Sequence, residues 1–303
     1  MQARMVTVGG GVMLACFVQM ASLEHFTRQG SQFVPLMTLA FVVYGLLAWR
    51  LLRDPAVPLG LIFALAILFR LPLLATTPTL SSDVWRYLWD GRLVTEGINP
   101  YAYRVDAAEL APLRTPLHAR IDHQWMASPY PPVSQGVFAL TYVLAPESAL
   151  AMQTVFAVFD LLTALLLVRL LRLVGSPPTW VLLYAWNPLM VVEFAHGAHV
   201  DSLMTFFILL AIYAHFKGWQ GASAVALALA TLTKFIPAVL VVLLLRRWGW
   251  RNTLLYGGVV ALAFFAFLPA GLNNAGTGIF GAARIYANQW KTNDGLFFWL
   301  VKA

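Results

Sequence analysis

Residues 81–92 read Ser-Ser-Asp-Val-Trp-Arg-Tyr-Leu-Trp-Asp-Gly-Arg and open the long polar segment 76–132 of an otherwise almost continuously apolar chain. A helix capped by a serine would place four polar side chains on one face: Asp83, Arg86, Tyr87 and Asp90. The opposite face would carry Trp85, Leu88, Trp89 and Arg92. This pattern predicts a helix in the membrane interface, with tryptophans toward the headgroups and its polar face toward a cavity. An ordinary amphipathic surface helix is the alternative.

The composition excludes a soluble globular domain. Hydrophobic residues make up 60% of the 303 positions and charged residues only 11%, and the mean hydropathy is +0.73. These values predict a polytopic membrane protein. The single cysteine, Cys16, rules out a disulfide framework and a cysteine metal site. The net charge is +7, and the basic residues cluster at the ends of the apolar runs. This position favours contact with lipid headgroups over contact with nucleic acid.

The first apolar runs predict the orientation of the polar segment. Residues 7–23, 33–52 and 57–75 approach the roughly 20 residues that a spanning helix needs. Arginines at positions 4, 50 and 53 would all lie on one side of these helices, which assigns that side to the cytoplasm. The third helix then delivers the loop 76–132 to the extracytoplasmic face. Its prolines predict short helices broken by turns.

The remaining apolar runs predict an all-α bundle of about 9–11 membrane helices in the cell inner (plasma) membrane. Residues 1–303 would form a single transmembrane domain, with 76–132 as its first large extracytoplasmic loop. The later runs are 133–145, 150–174, 180–195, 203–215, 222–231, 235–245 and 254–268. The first of these does not fit a simple crossing: either it is a re-entrant or interfacial helix, or the basic residues after Val168 break the positive-inside rule. The last apolar run, 296–301, is too short to span, which predicts that C-terminal helices are missing.

Two carboxylates of the 81–92 helix are candidates for acid–base chemistry. Asp83 would lie in the first turn, where free backbone N–H groups and the helix dipole favour negative charge. It is a candidate general base for a hydroxyl group, and a purely structural role at the helix start is the alternative. Asp90 either joins the substrate site or pairs with Arg86 one turn earlier. Arg86, Tyr87 and Tyr130 are further candidate substrate contacts.

A second polar group lies between two apolar runs and contains His196, His199 and Asp201. Imidazole and carboxylate groups together suit several divalent ions. However, two histidines three residues apart without a third imidazole are a weak zinc signal. Hydrogen bonding to a substrate and the capping of a polar turn are the other interpretations. We predict substrate contacts here, with no bound metal and no cofactor.

Lys234 interrupts the apolar run 221–245 close to Pro237. A cation at membrane depth is costly, so it marks a candidate functional site that faces a cavity. Two short helices would meet there and offer the ammonium group to a phosphate. Snorkelling of the side chain to the headgroups is the alternative. Arg284, in a later polar stretch, is a further candidate substrate contact.

Six sequence blocks between residues 80 and 245 carry a family resemblance. They are the 81–92 stretch, Gly97-Ile98-Asn99-Pro100-Tyr101, Tyr130-Pro131-Pro132, Asn187-Pro188, His199-Val200-Asp201, and Thr233-Lys234 with Pro237. Their order resembles that of the C-type (GT-C) integral membrane glycosyltransferases. More narrowly, the chain is similar to the bacterial polyprenol-phosphate-mannose-dependent mannosyltransferases.

The resemblance implies inverting transfer of a sugar from a polyprenyl-phosphate donor on the extracytoplasmic face, without a nucleotide sugar or an essential metal. Asp83 matches the acid that acts as general base in that family. The implied partners are the lipid-linked donor, a glycan, glycolipid or protein acceptor, and the bilayer. A transporter or lipid flippase is the main alternative, because it would also place charges at membrane depth. A structural scaffold would leave the Asp83 helix without a purpose.

Overall fold

The computed structural model describes residues 2–272 and 276–289, and within them the elements are helices joined by turns and loops, with no β-strand. The predicted all-α fold class is confirmed. The α-helices are α1 (Gln2–Ala21), α2 (Gly30–Arg53), α3 (Leu59–Leu74), α4 (Asp83–Thr95), α5 (Pro132–Leu144), α6 (Ala149–Leu173), α7 (Leu182–Ala185), α8 (Pro188–Val191), α9 (Asp201–Phe216), α10 (Gln220–Thr231), α11 (Val241–Phe265) and α12 (Gly281–Gln289). The apolar run predicted at 296–301 lies outside the described residues.

Within the described residues, three helices are long and apolar enough to cross a membrane: residues Arg4–Ala21 of α1, then α2 and α6. Helices α3, α5, α9 and α10 are apolar but shorter. Helix α5 has 13 residues, so at 1.5 Å per residue it is about 20 Å long. That length is less than the roughly 30 Å of the hydrocarbon core. It therefore favours the interpretation of this segment as re-entrant or interfacial, while the number of crossings stays a prediction.

A buried ion pair joins two of the apolar helices. Arg70 of α3 and Asp160 of α6 are almost fully buried, and the Nε atom of Arg70 donates to a carboxylate oxygen of Asp160 at 2.6 Å. The same guanidinium also donates to the carbonyl of Ala66 at 2.6 Å and to that of Ala185 at 3.1 Å. Since each charge has a charged or carbonyl partner, this pair of buried charges has a structural explanation.

The long polar loop covers helix α4 instead of leaving it at a membrane surface. Every side chain from Val84 to Asp90 is buried. The guanidinium of Arg120 lies 4.7 Å from the ring centre of Trp85, and the ring of His118 lies 5.0 Å from that of Trp89. The prediction that these tryptophans face lipid headgroups is therefore wrong, because one 3₁₀-helical segment of the same loop, Pro116–Arg120, supplies both partners.

Helices α4 and α5 pack closely through a glycine. A Cβ atom added at Gly91 would lie only 2.5 Å from the carbonyl oxygen of Phe138, closer than van der Waals contact allows. The absence of a side chain therefore lets the two backbones approach. This packing fixes α4, whose first turn carries Asp83, against α5.

The sidedness of the loop is a prediction that thiol labelling can check. We expect a cysteine placed at Ala107, in the loop, and one placed at Ser176, after α6, to react oppositely with a membrane-impermeant reagent in intact cells. Cys16 is buried and gives little background. Equal labelling of both positions would contradict the predicted orientation.

Candidate active site

Asp83 lies at the first residue of α4 with a partly exposed carboxylate. Its backbone N–H donates to Ser81 Oγ at 3.1 Å, while the hydroxyl of Ser82 donates to Asp122 at 2.6 Å. The Asp83 side chain retains 40% of its exposure, and its Oδ2 lies 3.5 Å from Nδ1 of His199. The structure therefore brings together two residues that the sequence places in separate polar groups.

His199 lies between two carboxylates. Its Nε2 lies 3.1 Å from Oε2 of Glu193, opposite the Nδ1 atom that faces Asp83. Sequence analysis did not single out Glu193 as a site residue. Glu193 lies six residues before His199, a spacing that does not place two side chains together on a regular helix. The contact depends on the irregular backbone between them.

Three local features orient His199. Residues Val192–His196 form a π-helical turn, a geometry that is frequent at functional sites. Ala198 adopts a left-handed conformation with φ of 55°, which is uncommon for a residue other than glycine. A Cβ atom at Gly197 would lie 2.7 Å from the His199 ring and 2.8 Å from the Glu193 carbonyl. The chain thus bends sharply enough to turn the imidazole back over the turn that carries Glu193.

The electrostatic surroundings of His199 favour its protonated form. Burial lowers the pKa of His199. The hydrogen bond with Glu193 raises this pKa, as do the nearby carboxylates of Glu193, Asp83 and Asp201. The net effect is a pKa above the ordinary value. Imidazolium is therefore more abundant at neutral pH than it would be for a free histidine.

Asp201 and Lys234 form an ion pair beside this group. The Nζ atom of Lys234 lies 2.8 Å from Oδ1 of Asp201, and both side chains keep more than a third of their exposure. Lys234 lies in the break between the end of α10 at Thr231 and a 3₁₀ turn, Ile236–Leu240. The predicted interruption of the apolar run near Pro237 is confirmed. One ammonium proton binds Asp201, which leaves two donors for a ligand.

Tyr87 and Tyr130 form an aromatic pair close to the Asp83 carboxylate. Their rings meet edge to face with centres 5.0 Å apart, and Tyr87 stacks on Phe138 at 4.4 Å. The backbone N–H of Val200 donates to the Tyr87 hydroxyl at 3.5 Å, so α4 contacts the turn before α9. Burial, together with the Asp83 carboxylate and other neighbouring charges, raises the pKa of both phenols well above the ordinary value.

The structure does not place Arg86 and Asp90 in this cluster. Arg86 Nε donates to Asp90 Oδ1 at 2.9 Å, and both side chains are almost fully buried. The hydroxyl of Ser128 and the amide of Gln135 donate to the other oxygen of Asp90, and Arg86 also donates to the Met126 carbonyl at 3.3 Å. These contacts give the pair a structural role, and contact of either residue with substrate stays a prediction.

His196 has structural contacts of its own, and Arg284 lies on the last described helix. The His196 ring is fully buried and stacks on Phe26 with centres 3.9 Å apart. Its nitrogens contact the Thr76 hydroxyl at 2.7 Å and the Thr79 backbone N–H at 3.1 Å. Arg284 is on α12 with an exposed side chain. Substrate binding by these two residues stays a prediction.

Metal binding is one of the interpretations that the sequence leaves open for His196, His199 and Asp201. No group of three or more His, Cys, Asp or Glu side chains in residues 2–272 and 276–289 has the arrangement of a metal site. The expectation that the protein needs no metal stays a prediction.

Comparison with known proteins identifies the family. Residues 3–250 match the family described as alpha-(1->6)-mannopyranosyltransferase, N-terminal domain. The chain belongs to this family. It is 26% identical over 196 residues to alpha-(1->6)-mannopyranosyltransferase A of Corynebacterium glutamicum, an alignment that covers 61% of this chain and 39% of the relative. The aligned part of this chain thus spans about two fifths of the relative's length. No solved structure matches the chain significantly. The resemblance to C-type mannosyltransferases is confirmed.

Proposed function

We propose that the chain is a membrane mannosyltransferase that moves mannose from a polyprenyl-phosphate donor to an acceptor hydroxyl, with inversion, on the extracytoplasmic face. Family membership and the relative's name, an alpha-(1->6)-mannopyranosyltransferase, support mannose transfer. The observation that carries the proposal is the partly exposed Asp83 carboxylate beside His199, with the cation of Lys234 nearby on Asp201. A base and a cation are the two groups that this displacement requires.

Asp83 acts in this mechanism as the general base. The acceptor O–H bond breaks, its proton moves to the Asp83 carboxylate, and the acceptor oxygen forms a bond to the anomeric carbon. The bond between that carbon and the phosphate oxygen breaks on the opposite side, so the anomeric configuration inverts. His199 contacts Asp83 on one side and orients its carboxylate toward the acceptor.

Lys234 binds the departing polyprenyl phosphate. The two ammonium protons that do not bind Asp201 are donors of the kind that stabilise phosphate charge as it develops. Because the ammonium is already held at 2.8 Å from Asp201, its position is fixed before the donor arrives. Such preorganisation lowers the reorganisation that transfer requires.

The proposal can be tested with purified protein in lipid vesicles. We expect label from polyprenyl-phosphate [¹⁴C]mannose to reach a mannose oligosaccharide, and label from GDP-[¹⁴C]mannose not to. Transfer should survive exhaustive chelation, since no metal is assigned a role. NMR of the product should show the anomeric configuration opposite to that of the donor. Transfer from the nucleotide sugar alone, or loss of activity restored by one particular metal, would contradict the proposal.

Replacing Lys234 by methionine is expected to weaken donor binding by roughly ten- to a hundredfold. A charge-assisted hydrogen bond contributes about 1.5–3 kcal/mol, and each 1.4 kcal/mol corresponds to about tenfold in affinity. Equilibrium binding of a polyprenyl phosphate to the detergent-solubilised variant measures the effect.

Two controls separate phosphate binding from loss of the ion pair. Lys217→Met removes an exposed lysine from the end of α9 and should leave binding unchanged. The double variant Lys234→Met/Asp201→Asn avoids an unpaired carboxylate and should bind as weakly as the single variant. Wild-type affinity in folded Lys234→Met protein would exclude the role.

The pH dependence of transfer is expected to report on His199. Because the carboxylate of Glu193 helps to raise the pKa of His199, Glu193→Gln should move the limb of the pH–rate profile that depends on His199 toward lower pH. His199→Gln, which cannot titrate, should remove that limb. Steady-state rates across the pH range measure both effects, and unchanged profiles in two folded variants would exclude a role for His199 in the reaction.

A further inference from the structure

A polar cavity of about 750 Å³ lies next to the first turn of α4. Its walls come from the α1–α2 loop, from the segment between α3 and α4, and from the part of the long loop around residue 120. Ser81 lines this cavity, and its Oγ atom accepts the backbone N–H of Asp83. Ser81 and Ser82, the two residues before the proposed base, both line the cavity, which therefore reaches the start of α4. Asp83 is not one of the lining residues, and the cavity is built mainly from residues that the proposed mechanism does not use.

The lining suits an uncharged ligand with many hydroxyl groups. Two carboxylates and two guanidinium groups balance one another in formal charge: Glu24, Asp122, Arg28 and Arg120. Hydroxyl side chains supply further donors and acceptors: Thr27, Thr77, Thr79, Ser81 and Ser82. A phosphate site would be expected to carry excess positive charge, which this cavity lacks. Its volume lies within the range of roughly 300–1,000 Å³ that is typical of small-molecule sites.

Two charged side chains of the α1–α2 loop are available to such a ligand. Glu24 and Arg28 are exposed, and neither forms a hydrogen bond or ion pair with another described residue. The loop is nevertheless anchored, because the backbone N–H of Phe26 donates to the Thr79 hydroxyl at 3.1 Å and the Phe26 ring stacks on His196. The two side chains are thus free to bind while their backbone is fixed beside the α3–α4 segment.

We propose that this cavity is a binding subsite for the carbohydrate part of the acceptor. Sugar units remote from the reacting hydroxyl contact Glu24 and Arg28, and the chain passes Ser81 to present that hydroxyl to Asp83. The inference rests on the proposed function for the direction of transfer, but the binding itself does not require transfer. Helices α1 and α2 thereby contribute to acceptor recognition through the loop that joins them.

Equilibrium binding of a fluorescent α-(1→6)-linked mannotriose to the purified full chain tests the subsite. We expect Glu24→Ala/Arg28→Ala to weaken binding by at least about tenfold, since hydrogen bonds to charged groups are the stronger ones. The matched control is Arg104→Ala/Glu109→Ala, which removes one charge of each sign from a separate polar cavity of about 410 Å³. The control should bind as wild type does.

Competition and kinetics separate the possible outcomes. An excess of inorganic phosphate or of polyprenyl phosphate should not displace the trisaccharide, and displacement by either would reassign the cavity to the donor and overturn the inference. In the transfer assay the double variant should raise KM for the acceptor with kcat unchanged. Wild-type affinity for the trisaccharide in folded Glu24→Ala/Arg28→Ala protein would also overturn the inference. Binding that depends on these side chains, in a protein without transfer activity, would support the subsite and contradict only the proposed function.

Discussion

Replacing Asp83 by asparagine is expected to lower the rate of sugar transfer by roughly 10²–10⁴-fold, the usual cost of removing a general base. Asparagine keeps the shape of the side chain but cannot accept the acceptor proton. The Asp83 carboxylate is 40% exposed, and its contact with His199 is long, at 3.5 Å, so little stability depends on it. Donor affinity, measured with a polyprenyl phosphate, should therefore stay within a few fold of wild type.

The matched control is Asp106→Asn, in the same long loop. Asp106 is an exposed carboxylate that pairs with Arg104, and its replacement should leave turnover unchanged. Retention of more than about a tenth of wild-type turnover by Asp83→Asn would exclude Asp83 as the base. Asp201, which lies beside Lys234, would then be the next carboxylate to test with the same substitution and the same assay.

The sequence was sufficient to predict the elements that local chemistry determines. A serine next to an aspartate at the start of an apolar and aromatic pattern predicted a helix, and α4 begins at Asp83. A lysine near Pro237 in an apolar run predicted a break, and α10 ends at Thr231 before it. Both predictions depend on charge, turn and backbone preferences that operate within a few residues. The N-cap residue Ser82 makes no side-chain cap hydrogen bond, and Ser81 Oγ instead accepts the Asp83 N–H.

The partners of those elements could not be predicted, because they come from distant parts of the chain. Helical spacing places Trp85 on a face opposite Asp83 whether that face meets lipid or protein, and only the fold shows that Arg120 covers it. The contact between His199 and Asp83 needs a π-helical turn and a left-handed Ala198, neither of which has a distinct pattern in the sequence. Glu193 was missed for the same reason.

The two carboxylates of α4 have different surroundings, and the loss of Asp90 is expected to affect stability where the loss of Asp83 affects the rate of transfer. Asp90 is fully buried, whereas Asp83 is partly exposed. Asp90 accepts from Arg86, Ser128 and Gln135, which ties α4 to the loop and to α5. Removing one partner of a buried pair leaves an uncompensated charge, and this typically costs about 3–5 kcal/mol of stability.

Asp90→Ala is therefore expected to destabilise the folded protein by roughly that amount, through the unpaired guanidinium of Arg86. Thermal unfolding in detergent measures the effect, and Asp106→Ala provides the control, since the Arg104–Asp106 pair is exposed to solvent and exposed pairs add little to stability. The double variant Arg86→Met/Asp90→Leu, which removes both charges and keeps apolar volume, should recover much of the loss. Folded Asp90→Ala protein should still bind donor. If this variant instead unfolds like wild type but transfers no sugar, Asp90 belongs to the substrate site and the structural interpretation of the pair is wrong.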